Sequence, residues 1–152
     1  MRIKTLIAAL LIAAPALASP QVTSGDLHVH SVWARMAPKE PGTASVFFEI
    51  ENDGHDNDSP IAATSPAARD IVIRRGRWRG FDFFNKETDG VRIKANARTS
   101  FHPGAYEVTL KDFTMPLGIG AVVPVTLMFK DAGPVQIEAR VANQLLGNRI
   151  RK

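Results

Sequence analysis

Cysteine is absent from the 152-residue sequence, so the chain has no disulfide framework, no thiolate metal ligand and no cysteine nucleophile. Stability must therefore come from an apolar core, which a single domain of this length can bury. Long apolar runs are also scarce. The one near the N-terminus is too short for a membrane anchor, and no later run is long enough to span a bilayer.

The first residues have the pattern of a signal peptide. Arg2 and Lys4 precede the apolar run Thr5–Ala14, and residues 16–18 (Ala-Leu-Ala) offer small side chains where a signal peptidase cleaves. We therefore expect residues 1–18 to be a signal peptide, cleaved after Ala18, and the protein to be exported.

Residues 19–142 are expected to form one domain, and residues 143–152 a basic, flexible tail. Removing Arg2 and Lys4 lowers the formal net charge from +4 to +2. This charge is too small to indicate a nucleic-acid partner.

Alternating apolar and polar residues indicate strands. In Thr43–Glu51, the side chains of Val46, Phe48 and Ile50 share one face, which predicts a strand with one buried side. Turn-forming residues separate the segments, and Asp89-Gly90 is a candidate hairpin turn. The other segments predicted as strands are Leu27–Trp33, Arg69–Arg75, Ala121–Lys130 and Val135–Val141. Several short strands separated by turns predict an all-β sandwich or Greek-key barrel.

Motifs of enzymes are not evident. The sequence has no nucleophile elbow, no paired-carboxylate context and no phosphate-binding loop. We therefore expect the protein not to be an enzyme.

The segment Phe101–Leu117 resembles the signature of the periplasmic copper-A chaperone (PCuAC) family, in which a Pro-Gly-Gly-Tyr turn leads into a strand carrying His-x-Met. Here the turn reads Pro-Gly-Ala-Tyr at residues 103–106. Similar segments occur in the same order at Trp33–Arg35, Ser65–Ala68 and Val123–Gly133. The resemblance implies a cupredoxin-like Greek-key β-sandwich in the periplasm that handles copper. It also implies a periplasmic copper-handling or oxidase-assembly protein as the partner.

The copper motif of that family, H-x(10)-M-x(21)-H-x-M, falls on four residues of this chain that we call the quartet: Arg74, Asn85, Glu107 and Thr109. Cu(I) prefers thioether, thiolate and imidazole donors. Arginine is a permanent cation, and the other three side chains offer hard oxygen atoms or an amide. The resemblance therefore implies a degenerate member of the family that lacks the copper ligands.

Two alternatives remain for the charged pair of the quartet. Arg74 and Glu107 are expected to form an ion pair across the former metal site, because an arginine and a carboxylate can join in a directional fork. Otherwise both are ordinary surface charges.

Histidines offer another route to metal binding. His28 and His30 are two residues apart on a predicted strand, so they point the same way and form a Cu(II), Zn(II) or Ni(II) site if a third donor approaches. In that strand, Val29, Ser31 and Trp33 are expected to share the opposite face. His102, before the Pro-Gly turn, is a further candidate.

Arginines surround an aromatic residue in the segment Arg74–Arg79, which reads RRGRWR. The pattern suits cation–π stacking on Trp78, or contact with an acidic partner or a lipid surface. A solvated hairpin would have the same sequence, so the role of this segment is left open.

Two functions follow from these observations. The first is an exported protein of the copper-chaperone family with lost or altered copper binding. The second is a periplasmic protein-interaction module that uses the same scaffold without a metal.

Overall fold

Ten strands account for the alternating segments in a computed structural model that describes residues 21–38, 40–80 and 82–143. The strands are β1 (Val22–Ser24), β2 (Leu27–Met36), β3 (Ala44–Asn52), β4 (Pro60–Thr64), β5 (Ala68–Arg79), β6 (Asp82–Glu87), β7 (Ala97–Phe101), β8 (Tyr106–Phe113), β9 (Val122–Phe129) and β10 (Gly133–Val141). The described part of the chain contains no α-helix.

The strands follow the order β4-β9-β10-β2-β3-β8-β5-β6, with β1 on β2 and β7 on β3. All pairings are antiparallel except that of β10 with β2, which joins the two halves of the sheet. The sheet encloses one core that draws on both halves, including Val46, Phe48, Val125 and Ile137. The predicted all-β sandwich is confirmed.

Burial in β3 departs from the predicted one-sided strand. Val46, Phe48 and Ile50 are buried in the core as expected, but Phe47 and Ser45, on the outer face, are buried too. The ring of Trp33 lies 4.6 Å from that of Phe47, centroid to centroid. The outer face is therefore covered by aromatic packing at this point.

A β-bulge in β2 makes the predicted face assignment wrong. His30 pairs with Glu49, but the next regular pair is Trp33 with Phe47, and the register shifts between them. Ser31 in the bulge has a left-handed φ of 55°. The extra residue turns Trp33 onto the same face as His30, whereas Val29 points into the core.

The hairpin turn is also in a different place from the one predicted. Strand β5 continues to Arg79, and the turn into β6 begins at Gly80, whose φ of 63° suits glycine. Asp89 and Gly90 instead lie after β6, where the Thr88 hydroxyl donates to the carbonyl oxygen of Gly90 (3.0 Å).

The predicted signal peptide and tail lie outside the described residues, except for Asn143. Among the described residues, no helix is long and apolar enough to cross a membrane.

Candidate functional site

The quartet lies on the outer face of three neighbouring strands. Arg74 of β5 is the cross-strand partner of Glu107 of β8. On the other side of β5, Asn85 of β6 is the partner of Gly76, two residues from Arg74. Because cross-strand partners and alternate residues share a face, the four side chains point the same way.

Glu107 is the centre of a hydrogen-bond network. Its Oε1 accepts from the Asn85 amide (3.0 Å) and from the Thr109 hydroxyl (3.3 Å). Glu107 is 8% exposed, and Thr109 is 0% exposed. The buried Glu107 and Thr109 and the exposed Asn85 are therefore joined by hydrogen bonds.

Arg74 forms its ion pair with a different carboxylate from the one expected. Its Nη1 lies 3.2 Å and 3.3 Å from the two carboxylate oxygens of Glu40, in the loop between β2 and β3. The ion pairs within 4.0 Å among the described residues do not include Arg74 with Glu107. The predicted pair is therefore wrong. Glu40 lies 34 residues before Arg74, in a loop without periodicity, so nothing in the sequence pointed to it.

The donor chemistry of this network does not fit Cu(I). The residues supply a guanidinium, an amide, a carboxylate and a hydroxyl, and none of these is a soft ligand. The arrangement can instead hold a buried negative charge close to the surface and present polar groups to a partner.

An aromatic cluster borders the quartet on the β2 and β3 side. Ser45 is the cross-strand partner of both Thr109 and Arg35. The Arg35 guanidinium lies 5.3 Å from the centroid of the Phe47 ring. Its Nε is buried without a hydrogen-bond partner within the described residues. Cation–π contact with Phe47 therefore helps to hold this arginine.

His28 and His30 share the outer face of β2, as predicted, and each has a carboxylate neighbour. His28 Nε2 lies 3.3 Å from Asp53 Oδ2. His30 Nδ1 lies 3.8 Å from Glu49 Oε2. Polar side chains also contact the other nitrogen of His28, since its Nδ1 lies 3.0 Å from the Thr23 hydroxyl oxygen.

His102 lies at the turn before β8, where its Nδ1 donates to the carbonyl oxygen of Pro103 (3.0 Å). Among the described residues, no group of three or more His, Cys, Asp or Glu side chains is arranged to hold a metal ion. Metal binding through these histidines stays a prediction.

The acidic loop after β3 is held as a structured turn. The Asn52 side chain accepts from the backbone N–H of Gly54 (3.0 Å) and donates to the carbonyl oxygen of Asp56 (2.9 Å). Asp58 accepts from three backbone N–H groups, those of Ser59, Asp131 and Ala132, at 2.7 to 3.0 Å. Asp58 thereby ties this loop to the turn between β9 and β10, which is a structural role.

The sequence was compared with curated proteins and with sequence models of protein families. No curated protein matches the chain significantly. The sequence model of a family described as "Putative lipoprotein LpqE-like" matches residues 27–141.

Solved structures give the fold. The apo PCuAC domain from PmoF1 is 25% identical with a TM-score of 0.70, and the match covers 82% of this chain and 100% of that domain. The copper-bound PCuAC domain from PmoF2 is 21% identical with a TM-score of 0.68, covering 81% of this chain and 97% of that domain. The solution structure of CuI-DR1885 from Deinococcus radiodurans is 18% identical with a TM-score of 0.62, and the match covers 86% of this chain and 83% of that protein. These similarities confirm the prediction that this chain has the cupredoxin-like β-sandwich fold of PCuAC domains.

Proposed function

The chain belongs to the LpqE-like family, whose sequence model matches residues 27–141, and from this premise we propose an exported protein with a copper-chaperone-like scaffold and lost or altered copper binding. On this proposal, a hydrogen-bonded carboxylate occupies the place where PCuAC proteins carry soft ligands. The putative-lipoprotein description of the family and the signal-peptide pattern of residues 1–18 both support export to the periplasm.

The observation that carries the proposal is the position of Glu107. Its buried carboxylate accepts hydrogen bonds from Asn85 and Thr109, so both donors are already bonded to a carboxylate oxygen. A monovalent copper ion in the same place would need sulfur or imidazole ligands, and the quartet has neither.

The family resemblance supports a partner in the periplasm, namely a copper-handling or oxidase-assembly protein. The alternative is an interaction module without a metal, in which the outer face around Glu107 and Arg74 contacts another protein. The buried network favours a rigid surface in either case, because its side chains are fixed by mutual hydrogen bonds. We propose no enzymatic activity for this face.

Copper titration separates these possibilities. Residues 19–152, which contain all ten strands, are titrated anaerobically with Cu(I) against a competing chelator, and then with Cu(II) in air. We expect no sub-nanomolar retention of Cu(I), and such retention would contradict the proposal.

The Cu(II) titration decides between altered and lost binding. Micromolar Cu(II) binding that disappears in His28→Ala/His30→Ala, but not in the control His55→Ala, would assign altered binding to the β2 histidines. No uptake of either ion would favour the interaction module. His55 is a suitable control because it is exposed in the loop after β3.

A further inference from the structure

Part of the β5–β6 hairpin extends beyond the rest of the sheet. Strand β5 pairs with β8 only as far as Arg75, the partner of Tyr106. Residues 76–79 pair with β6, and within the described residues no other strand pairs with them. These residues and their β6 partners therefore form a two-stranded ribbon, with no third strand paired to it among the described residues.

One face of this ribbon, together with the adjoining pair Arg75 and Lys86, is basic and carries an exposed aromatic ring. Arg75 is the cross-strand partner of Lys86, and Arg77 is the partner of Phe84, so the four side chains share a face. All four are exposed, and Phe84 is 53% exposed. We call these four residues the basic ribbon face.

The three cations of this face have no carboxylate partner within 4.0 Å among the described residues, whereas Arg69, Arg74, Arg98 and Lys111 do. Arg75 lies over the Tyr106 ring, 5.7 Å from its centroid. Arg75, Arg77 and Lys86 line an open cleft of about 490 Å³ together with Glu87, Thr88 and Asp89. Glu87 is 3.6 Å from Lys111, so one of the two acidic residues of the cleft already has a cation.

We propose that the basic ribbon face binds the anionic surface of a phospholipid membrane. Unpaired cations on a protruding ribbon can reach several headgroup phosphates at once, and each one near such a surface strengthens binding. An exposed phenyl ring among them can enter the interfacial layer.

This surface is separate from the quartet. Arg74 and Asn85 lie on the opposite face of the same two strands, because they alternate with Arg75 and Lys86 along the chain. Membrane binding can therefore succeed or fail independently of the proposal about copper.

Vesicle flotation tests the inference with residues 19–152, because the signal peptide would bind lipid by itself. We expect binding to vesicles of phosphatidylcholine and phosphatidylglycerol, weak binding to phosphatidylcholine alone, and loss of binding at high salt. The variant Arg75→Gln/Arg77→Gln/Lys86→Gln should bind about a hundredfold more weakly, at about fivefold for each cation. Phe84→Ser should weaken binding severalfold at unchanged charge.

A matched control removes the same charge elsewhere. Arg92, Lys94 and Lys130 are exposed and form no ion pair within 4.0 Å among the described residues. We expect Arg92→Gln/Lys94→Gln/Lys130→Gln to bind the anionic vesicles within about twofold of the unsubstituted protein, given that these residues lie outside the ribbon. Circular dichroism and thermal melting establish that each variant is folded.

Three results would overturn the inference. The first is equal binding to vesicles with and without phosphatidylglycerol. The second is an equal loss of binding in the ribbon variant and the control variant, which would indicate a general effect of net charge. The third is binding to soluble polyglutamate without binding to vesicles, which would indicate an acidic protein as the partner.

Discussion

Glu107 should be important for stability, because it is the acceptor at the centre of the hydrogen-bond network of the quartet. Its carboxylate is buried and accepts hydrogen bonds from Asn85 and Thr109. In Glu107→Ala, the exposed Asn85 amide can bind water instead. The fully buried Thr109 hydroxyl loses its acceptor, which costs about 1–3 kcal/mol.

We therefore expect Glu107→Ala to lower the free energy of unfolding by about 2 kcal/mol. For a domain of this size, this corresponds to a fall in melting temperature of about 8 °C, at roughly 4 °C for each kcal/mol. Glu107→Gln keeps an oxygen acceptor and removes the charge, so it should cost about 1 kcal/mol.

Glu87→Ala is the matched control. Glu87 is also a cross-strand partner of Arg74, on the other side of β5, but its side chain is 62% exposed and contacts only Lys111 among charged groups of the described residues. We expect it to cost less than about 0.5 kcal/mol. Urea unfolding followed by circular dichroism measures all three variants. If Glu107→Ala were no more harmful than Glu87→Ala, or were stabilising, the network would not hold this face together.

Three further effects follow from the contacts. A double-mutant cycle on Arg74 and Glu40 should give a coupling of about 0.2–1 kcal/mol that decreases with salt, because Glu40 is half-exposed; zero coupling at low salt would contradict the pair. Asp58→Ala should lower the free energy of unfolding by about 2–4 kcal/mol, because three backbone N–H groups lose a charged acceptor; a change below about 0.5 kcal/mol would refute this role. Gly54→Ala should lower the free energy of unfolding by about 1–3 kcal/mol, since the added Cβ would lie 3.0 Å from the Asp26 Cβ. The control Gly118→Ala has open space around the added Cβ. In urea unfolding it should change the free energy by less than about 0.5 kcal/mol.

The all-β class could be predicted from the sequence because apolar and polar residues alternate in β9 and β10, where burial is on one side of the strand. The face of Trp33 could not, because a single inserted residue at the β2 bulge reverses the alternation without changing the local composition. The position of the hairpin turn could not be predicted from the sequence either. Asp89-Gly90 has a favourable local turn sequence, but the pairing of β5 with β6 places the turn between these strands, beginning at Gly80.

The resemblance to the PCuAC motif singled out the four quartet residues, but it could not predict their contacts. Alternation fixes which side of a strand Glu107 is on, and says nothing about which donor lies closest to it. Arg74 has two neighbouring carboxylates across the strands, Glu107 and Glu87, and pairs with neither, because the loop between β2 and β3 brings Glu40 over it. Contacts between a loop and a distant strand leave no periodic pattern in the sequence, so they cannot be predicted from it.

Introducing soft ligands is the most direct test of the central proposal, that the quartet shares one face and lacks only the donors for Cu(I). The variant Arg74→His/Asn85→Met/Glu107→His/Thr109→Met places two imidazoles and two thioethers at these positions. In an anaerobic chelator competition, we predict that this variant retains Cu(I) and that the unsubstituted protein loses it. Equal retention by both proteins would contradict the account.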